Sequence, residues 1–210
     1  MTGNRITRRQ VSMALASAVA LGMPPVRARG EPTYPARPVR FILPFAAAGV
    51  ADITARVAAE KLGDKLGQRF VVENQPGPGG IAAARSVLSQ TPDGYTIGLV
   101  TNGTSISAAI YKALPFDPVK DFATISTIGA FDLVFATNVD SEFKTFEDFI
   151  NASRAQPGKL NVGTINVGGT QNLAAELFKS LAGINFQIVP YRGTPDVIVA
   201  LLRNDVQMLV

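Results

Sequence analysis

Three glycine-containing loops hold the residues whose types and spacing could bind a ligand. They lie at residues 44–52, 101–105 and 163–170, each between a strand-like apolar run and a helical pattern. In a parallel α/β sheet, such loops lie beyond the carboxyl ends of the strands, where helix N-termini point. Small side chains let a ligand approach the backbone N–H groups, and the helix dipole favours an anion there. The loops therefore predict a site for an anionic group.

The third of these loops nearly matches the phosphate loop G-x-x-x-x-G-K-[ST], but Gly169 stands where the lysine is required. The next lysine, Lys179, lies about two turns into the following helix. Without a cation to meet the phosphates, the loop keeps a neutral set of donors from Thr164, Asn166 and Thr170. This set suits a carboxylate better than a nucleoside triphosphate.

The other glycine-rich and polar segments have two interpretations each. Asp52 is either the N-cap of the following helix or a ligand contact, and the two roles can coexist. Residues 101–105 offer polar donors, although the same residue types are ordinary turn formers. Residues 77–80 lack the G-x-G-x-x-G spacing, and Pro78 removes an N–H donor, so we interpret them as a structural turn.

Catalysis finds little support in the composition. The 210 residues include no His and no Cys, which excludes His-based triads, thiol nucleophiles and the usual zinc sites. Acidic residues are scattered singly, so neither a carboxylate pair nor a calcium or magnesium cluster is indicated. We expect no cofactor and no metal. A small exported hydrolase with a Ser or Asp nucleophile remains an alternative, although no base is marked.

The first 28 residues have the layout of a secretory signal peptide. Arg5, Arg8 and Arg9 precede an uncharged apolar run, and small residues precede a cleavage site after Ala28. The arginine pair also resembles a twin-arginine signal, so the export route stays open. Removing these residues, with Arg27, reduces the 20 Lys+Arg by four to 16, equal to the 16 Asp+Glu. The mature chain is therefore neutral, and nucleic acid is not an expected partner.

Strand and helix patterns alternate along the rest of the chain, which predicts a mostly parallel α/β architecture. Thr145 and Asp148 form a capping-box pattern before a helix, and residues 114–121, with two prolines, are a candidate crossover between lobes. Strands are predicted at residues 39–43, 70–73, 96–100, 133–137, 160–164, 187–190 and 206–210. Helices are predicted at residues 52–66, 81–89, after 105 to near 111, after 145, and at 171–182 and 196–203.

Seven motifs in chain order resemble one known family. They are YPARPVR at residues 34–40, PFA at 44–46 with Gly49 and Asp52, VVENQPG-x-GG at 71–80, PDGYT at 92–96, LPFDPVKDF at 114–122, PGKLN at 157–161 and VPYRG at 189–193. Together they are similar to the substrate-binding proteins of tripartite tricarboxylate transporters (TctC-like, of the Bordetella-uptake type). The resemblance runs from about Tyr34 to the last residue.

The resemblance implies a two-lobed, type II periplasmic binding protein-like α/β fold, with a first lobe at residues 29–122 and a second at 123–210. It implies a periplasmic, monomeric receptor that binds a small carboxylate and serves membrane transporter subunits. Family chains run on for roughly another hundred residues, so we expect the second lobe and the return to the first to be incomplete. A truncated, non-functional family member is therefore a further alternative. The implied ligand contacts are Ala47, Ala48, Gly49, Asp52, Asn102, Ser105, Thr164, Gly168, Gly169, Thr170, Tyr191 and Arg192.

One departure from the family concerns the first loop. Family members often have Pro-Gly-Gly where this chain has Ala47-Ala48-Gly49. The missing glycine is expected to restrict how closely a ligand approaches the backbone.

Overall fold

Helices and parallel strands alternate along the chain, as the apolar pattern predicts. The computed structural model describes residues 33–210, so the predicted signal peptide at residues 1–28 lies outside the described residues. Pro35–Val210 form one compact unit. Within residues 33–210, none of the helices is both long and apolar enough to cross a membrane.

The first lobe is built on a three-stranded sheet with its earliest strand in the centre. The strand order is β2-β1-β3 and both pairings are parallel, with Val39 opposite Phe70 and Arg40 opposite Thr96. Its elements are β1 (Val39–Leu43), α1 (Val50–Leu66), β2 (Phe70–Asn74), a 3₁₀ turn (Pro78–Gly80), α2 (Ile81–Leu88), β3 (Thr96–Gly98) and α3 (Asn102–Ile110).

A small core fixes the direction in which β1 and α1 point. Phe41 and Leu43 of β1 pack against Ala55 and Ala59 of α1, and all four are buried. The small alanines let the helix lie close to the sheet. The helix ends where Gly67 adopts the left-handed conformation (φ 72°) and its N–H donates to the carbonyl of Gly63. These contacts hold the N-terminus of α1 at the carboxyl edge of the sheet.

The second lobe repeats this arrangement. Its sheet has the order β5-β4-β6, again with the earliest strand in the centre and parallel pairing. The two lobes share the order of their elements but no exact sequence repeat. They are α4 (Phe146–Ala155), β4 (Asn161–Ile165), α5 (Thr170–Ala182), β5 (Gln187–Tyr191), α6 (Thr194–Leu202) and β6 (Met208–Leu209).

Helices cover both faces of the second sheet. On one face, Phe149 of α4 and Phe186, both fully buried, pack with Val162 of β4. On the other face, Ala200 and Leu201 of α6 pack with Val206 and strand residues. The predicted capping box of α4 is present: the Thr145 N–H donates to Asp148 Oδ2 (2.8 Å) and the Asp148 N–H donates to Thr145 Oγ1 (3.1 Å).

Two predicted elements are wrong. Residues 133–137 do not form a strand, because only Ala136 finds a partner, in an antiparallel bridge to Leu209 of the two-residue strand β6. Residues 101–105 are not an open loop but the start of α3. The parallel α/β architecture is confirmed, while the predicted lobe boundary at residue 122 stays a prediction.

Candidate functional site

The first loop, residues 44–49, turns the chain from β1 into α1 through a left-handed residue. Ala48 has φ 64° and is exposed, and Gly49, in extended conformation, is the N-cap of α1. The first N–H groups of a helix have no intrahelical partner, and at this helix end no side chain of the N-cap accepts from them either. The prediction of Asp52 as N-cap is therefore wrong, because Asp52 lies three residues into the helix.

The Asp52 side chain points back at the first loop rather than into the solvent. Its Oδ2 accepts from the Ala48 N–H (2.9 Å) and from Arg56 Nε (2.9 Å), and its Oδ1 accepts from Asn74 Nδ2 (2.9 Å). Only 2% of the residue is exposed. Burial by itself raises the pKa of Asp52, but the hydrogen bonds from Arg56, Ala48 and Asn74 and the Arg56 charge outweigh it and hold that pKa below its usual range.

The second loop, residues 101–105, presents a helix N-terminus. Asn102 and Ser105 are exposed, whereas Thr104 is buried. The buried Ser107 hydroxyl lies within hydrogen-bond distance of the carbonyl oxygens of Gly79 (2.9 Å) and Gly103 (2.8 Å). The turn at residues 77–80 thus supports α3, in agreement with its interpretation as a structural turn.

The third loop, residues 166–169, repeats the design of the first loop. Gly168 is left-handed (φ 73°), Gly169 is the extended N-cap of α5, and the Gly168 N–H donates to Asn172 Oδ1 (3.2 Å). Asn172 occupies the same helical position as Asp52. A Cβ on Gly169 would lie 2.8 Å from the carbonyl oxygen of Ile165, so this position admits only glycine without a backbone shift.

Two of the predicted contacts lie inside the second lobe. Thr164 is fully buried on β4, and its hydroxyl has no hydrogen-bond partner among the residues that the structure describes. Tyr191 packs with Ala200, Leu201 and Val206. Burial, and after it the charge of Asp205, raise the pKa of the Tyr191 hydroxyl, which keeps it neutral. The neighbouring Arg192 is exposed.

Two of the remaining predicted contacts, Gly49 and Gly169, lie at helix N-termini that approach the other lobe. Helix N-termini face each other there in two pairs. A Cβ on Gly49 (α1) would lie 3.2 Å from Thr194 Oγ1 (α6), and a Cβ on Gly193 would lie 2.8 Å from the Cβ of Ala46. In the other pair, a Cβ on Gly103 (α3) would lie 4.0 Å from the Cα of Gly169 (α5). Each pair brings the backbone donors of two helix ends near each other.

Three residues of this region were not predicted as part of a site. Arg56 and Asn74 complete the environment of Asp52, and Thr194 opens α6 against Gly49. The position of Asn74 was a usable signal, because it ends the strand next to β1. Its pairing with Asp52, 22 residues away, was not readable from spacing.

The family described as tripartite tricarboxylate transporter family receptor matches residues 54–210. A UPF0065 protein of Bordetella pertussis is 37% identical over 179 residues, which cover 84% of this chain and 54% of that protein. Two solved structures are also similar. Rpa4515 of R. palustris, with adipate, has a TM-score of 0.78 at 31% identity over 83% of this chain and 59% of its own. MatC of Rhodopseudomonas palustris, with bound malate, has a TM-score of 0.77 at 27% identity over 83% of this chain and 60% of its own.

The chain spans a little over half the length of the curated relatives it matches. A further similar structure is that of the periplasmic binding protein BugD. This similarity confirms the predicted periplasmic binding protein-like α/β fold.

Proposed function

The chain belongs to the tripartite tricarboxylate transporter receptor family, and from this we propose that it binds a small organic carboxylate as a periplasmic solute receptor. The observation that carries the proposal is that two helix N-termini of the first lobe approach two of the second, α1 near α6 and α3 near α5. Such termini favour anions through unpaired N–H groups and the helix dipole.

The number of helix termini fits the affinity that a receptor needs. One terminus contributes about 0.3–1 kcal/mol to an anion when exposed and up to about 2 kcal/mol when partly buried. A micromolar complex requires roughly 8 kcal/mol. Four partly buried termini approach that value only when a ligand meets all of them, which requires both lobes and favours a ligand with two anionic ends.

The proposed contacts are residues at these helix ends and in the neighbouring loops, where the glycines offer backbone groups only. They are Ala47, Ala48, Gly49, Asn102, Ser105, Gly168, Gly169, Thr170 and Arg192. Asp52, Thr164 and Tyr191 are buried or half-buried, so we assign them supporting positions rather than direct contacts.

The family also supports a proposal for the partners and the location. We propose that residues 1–28 direct export and that the mature chain acts as a monomer in the periplasm. Its partners would be the ligand and the membrane subunits of a transporter. Adipate and malate are the ligands of the two similar structures, so dicarboxylates are the first compounds to test.

Isothermal titration calorimetry of the mature chain with adipate, succinate and citrate tests this function. Adipamide, which has the chain length of adipate without its charges, is the matched control. We expect at least one carboxylate to bind and adipamide to give no heat. A sample that melts cooperatively but binds none of the carboxylates contradicts the proposal and favours a non-functional member.

A further inference from the structure

The backbone of the first loop has an unfavourable conformation at one residue. Ala48 has φ 64°, a left-handed value that is sterically unfavourable for a residue with a Cβ. In the third loop the equivalent residue is Gly168, with φ 73°, for which that steric penalty is absent. The first loop therefore needs contacts that hold Ala48 in place. In the third loop the left-handed residue with a side chain is Asn166 (φ 53°), and asparagine tolerates this conformation better than alanine.

Asp52, Arg56 and Asn74, which we call the Asp52 network, supply those contacts. Asp52 accepts from the Ala48 N–H, while Asn74 Nδ2 donates to the carbonyl of Phe45 (3.0 Å) as well as to Asp52. Arg56 in turn donates to Asn74 Oδ1 (2.9 Å). The network thus ties down the loop at Phe45 and at Ala48.

The Asp52 carboxylate has little capacity left for a ligand. Its two oxygens accept from three protein donors, and the residue is buried. The ion pair of Asp52 with Arg56 (2.9 Å) also offsets a negative charge that would otherwise weaken an anion site at this helix end. The third loop uses the neutral Asn172 for the same N–H contact and, among the described hydrogen bonds and ion pairs, has no arginine there.

We infer that Asp52 is a positioning residue: through the Ala48 N–H it holds the first loop in the left-handed turn that presents the α1 N-terminus to a ligand. The ligand part of this inference rests on the proposed function. The loop part does not, because it concerns only contacts within the first lobe.

Amide hydrogen exchange measured by NMR tests the loop part without any ligand. In Asp52→Ala we expect the Ala48 amide to exchange about tenfold faster, which is the scale of one lost hydrogen bond. The Val162 amide of β4, in the other lobe, should keep its rate and so reports intact folding. Asp64→Ala is the matched control because it removes another acidic residue from the same helix. Asp64 is exposed, and its Oδ2 lies 3.8 Å from Nζ of the exposed Lys61.

A rescue experiment separates positioning from general damage. If Asp52 acts by holding Ala48, then Ala48→Gly removes part of the need for it, and the double variant should bind adipate more tightly than Asp52→Ala alone. We expect adipate affinity to fall about tenfold in Asp52→Ala, the loss of one hydrogen bond, and to recover to within about threefold of the wild type in Ala48→Gly/Asp52→Ala. Asp52→Asn places the same residue type here as Asn172 in the third loop, and its adipate affinity should lie between those of Asp52→Ala and the double variant. It replaces Asp52→Ala in the experiment if Asp52→Ala does not fold.

Three results decide the inference. Unchanged Ala48 exchange in both Asp52 variants overturns it. So does a double variant that binds no better than Asp52→Ala. If the wild type binds none of the carboxylates, the proposed function fails, while faster Ala48 exchange in the Asp52 variants still supports the positioning role.

Discussion

An alanine at Gly193 tests whether the lobes approach each other as the structure shows. Gly193 has φ −172° and ψ 173°, an extended conformation that alanine adopts readily. The added Cβ, however, would lie 2.8 Å from the Cβ of Ala46 in the first lobe. Carbon atoms in contact are normally about 3.5–4.0 Å apart, so the lobes must separate by roughly 1 Å or the loops must shift.

The expected loss falls on ligand binding rather than on folding. Overpacking of this kind costs about 1–3 kcal/mol. If separation of the lobes relieves the clash, a ligand that bridges them loses that amount. At about 1.4 kcal/mol per tenfold, the dissociation constant for adipate then rises roughly 5- to 150-fold.

Calorimetry with adipate and thermal melting without ligand measure the two quantities separately. Gly77→Ala is the matched control, because Gly77 is also extended (φ 172°, ψ 162°) and its Cβ would lie 3.9 Å from the Cβ of Ala82, an ordinary contact. The control should melt and bind as the wild type does. A Gly193→Ala protein with wild-type affinity refutes the reasoning, and so does one whose only defect is a lower melting temperature.

Three further predictions concern stability. Gly169→Ala should lower the free energy of unfolding in urea by about 1–3 kcal/mol, because its Cβ would lie 2.8 Å from the Ile165 carbonyl oxygen although φ (−74°) suits alanine; an unchanged midpoint contradicts this. Phe186→Ala should lower the free energy of unfolding by about 3–5 kcal/mol because Phe186 is fully buried. Phe146→Ala should lower it clearly less because Phe146 is 45% exposed, and equal losses argue against the aromatic core. Hydrogen bonds and charge from Arg40 hold the pKa of Glu73 below its usual range in the folded protein. The stability that this pair contributes is therefore complete above the unfolded-state pKa of about 4.3, and it is lost as the pH falls through the folded-state pKa. Glu73→Gln should reduce that acid-side loss in urea titrations, and an identical pH profile rules the pair out as its source.

Local patterns were enough to predict most elements of the fold. The strand Val39–Leu43 is read correctly because its buried apolar run has a charged residue at only one position. The capping box at Thr145 and Asp148 fixes the start of α4 because both partners lie within one turn. These signals are carried by residues close together in the chain.

The two wrong secondary-structure predictions fall where contacts between residues distant in the chain determine the structure. Residues 101–105 are poor helix formers, yet they begin α3, where Ser107 bonds to the turn at Gly79, 28 residues earlier. Residues 133–137 are strand-like in composition but are bridged only at Ala136. Strand propensity needs a neighbouring strand to have any effect.

The function of Asp52 shows the same division between local and distant information. Its position near a helix start led to the prediction of an N-cap, which is wrong because Gly49 holds that position. Whether Asp52 faces a ligand or the chain depends on Asn74 from the next strand and on the left-handed backbone of Ala48. The first and third loops both contain a left-handed residue whose N–H donates to a side chain in the following helix. In the third loop these residues are a glycine and a neutral asparagine, whereas in the first loop they are an alanine and an aspartate that is paired with an arginine. The Asp52 carboxylate accepts from the N–H of the left-handed Ala48, so Ala48→Gly should reduce the cost of removing Asp52.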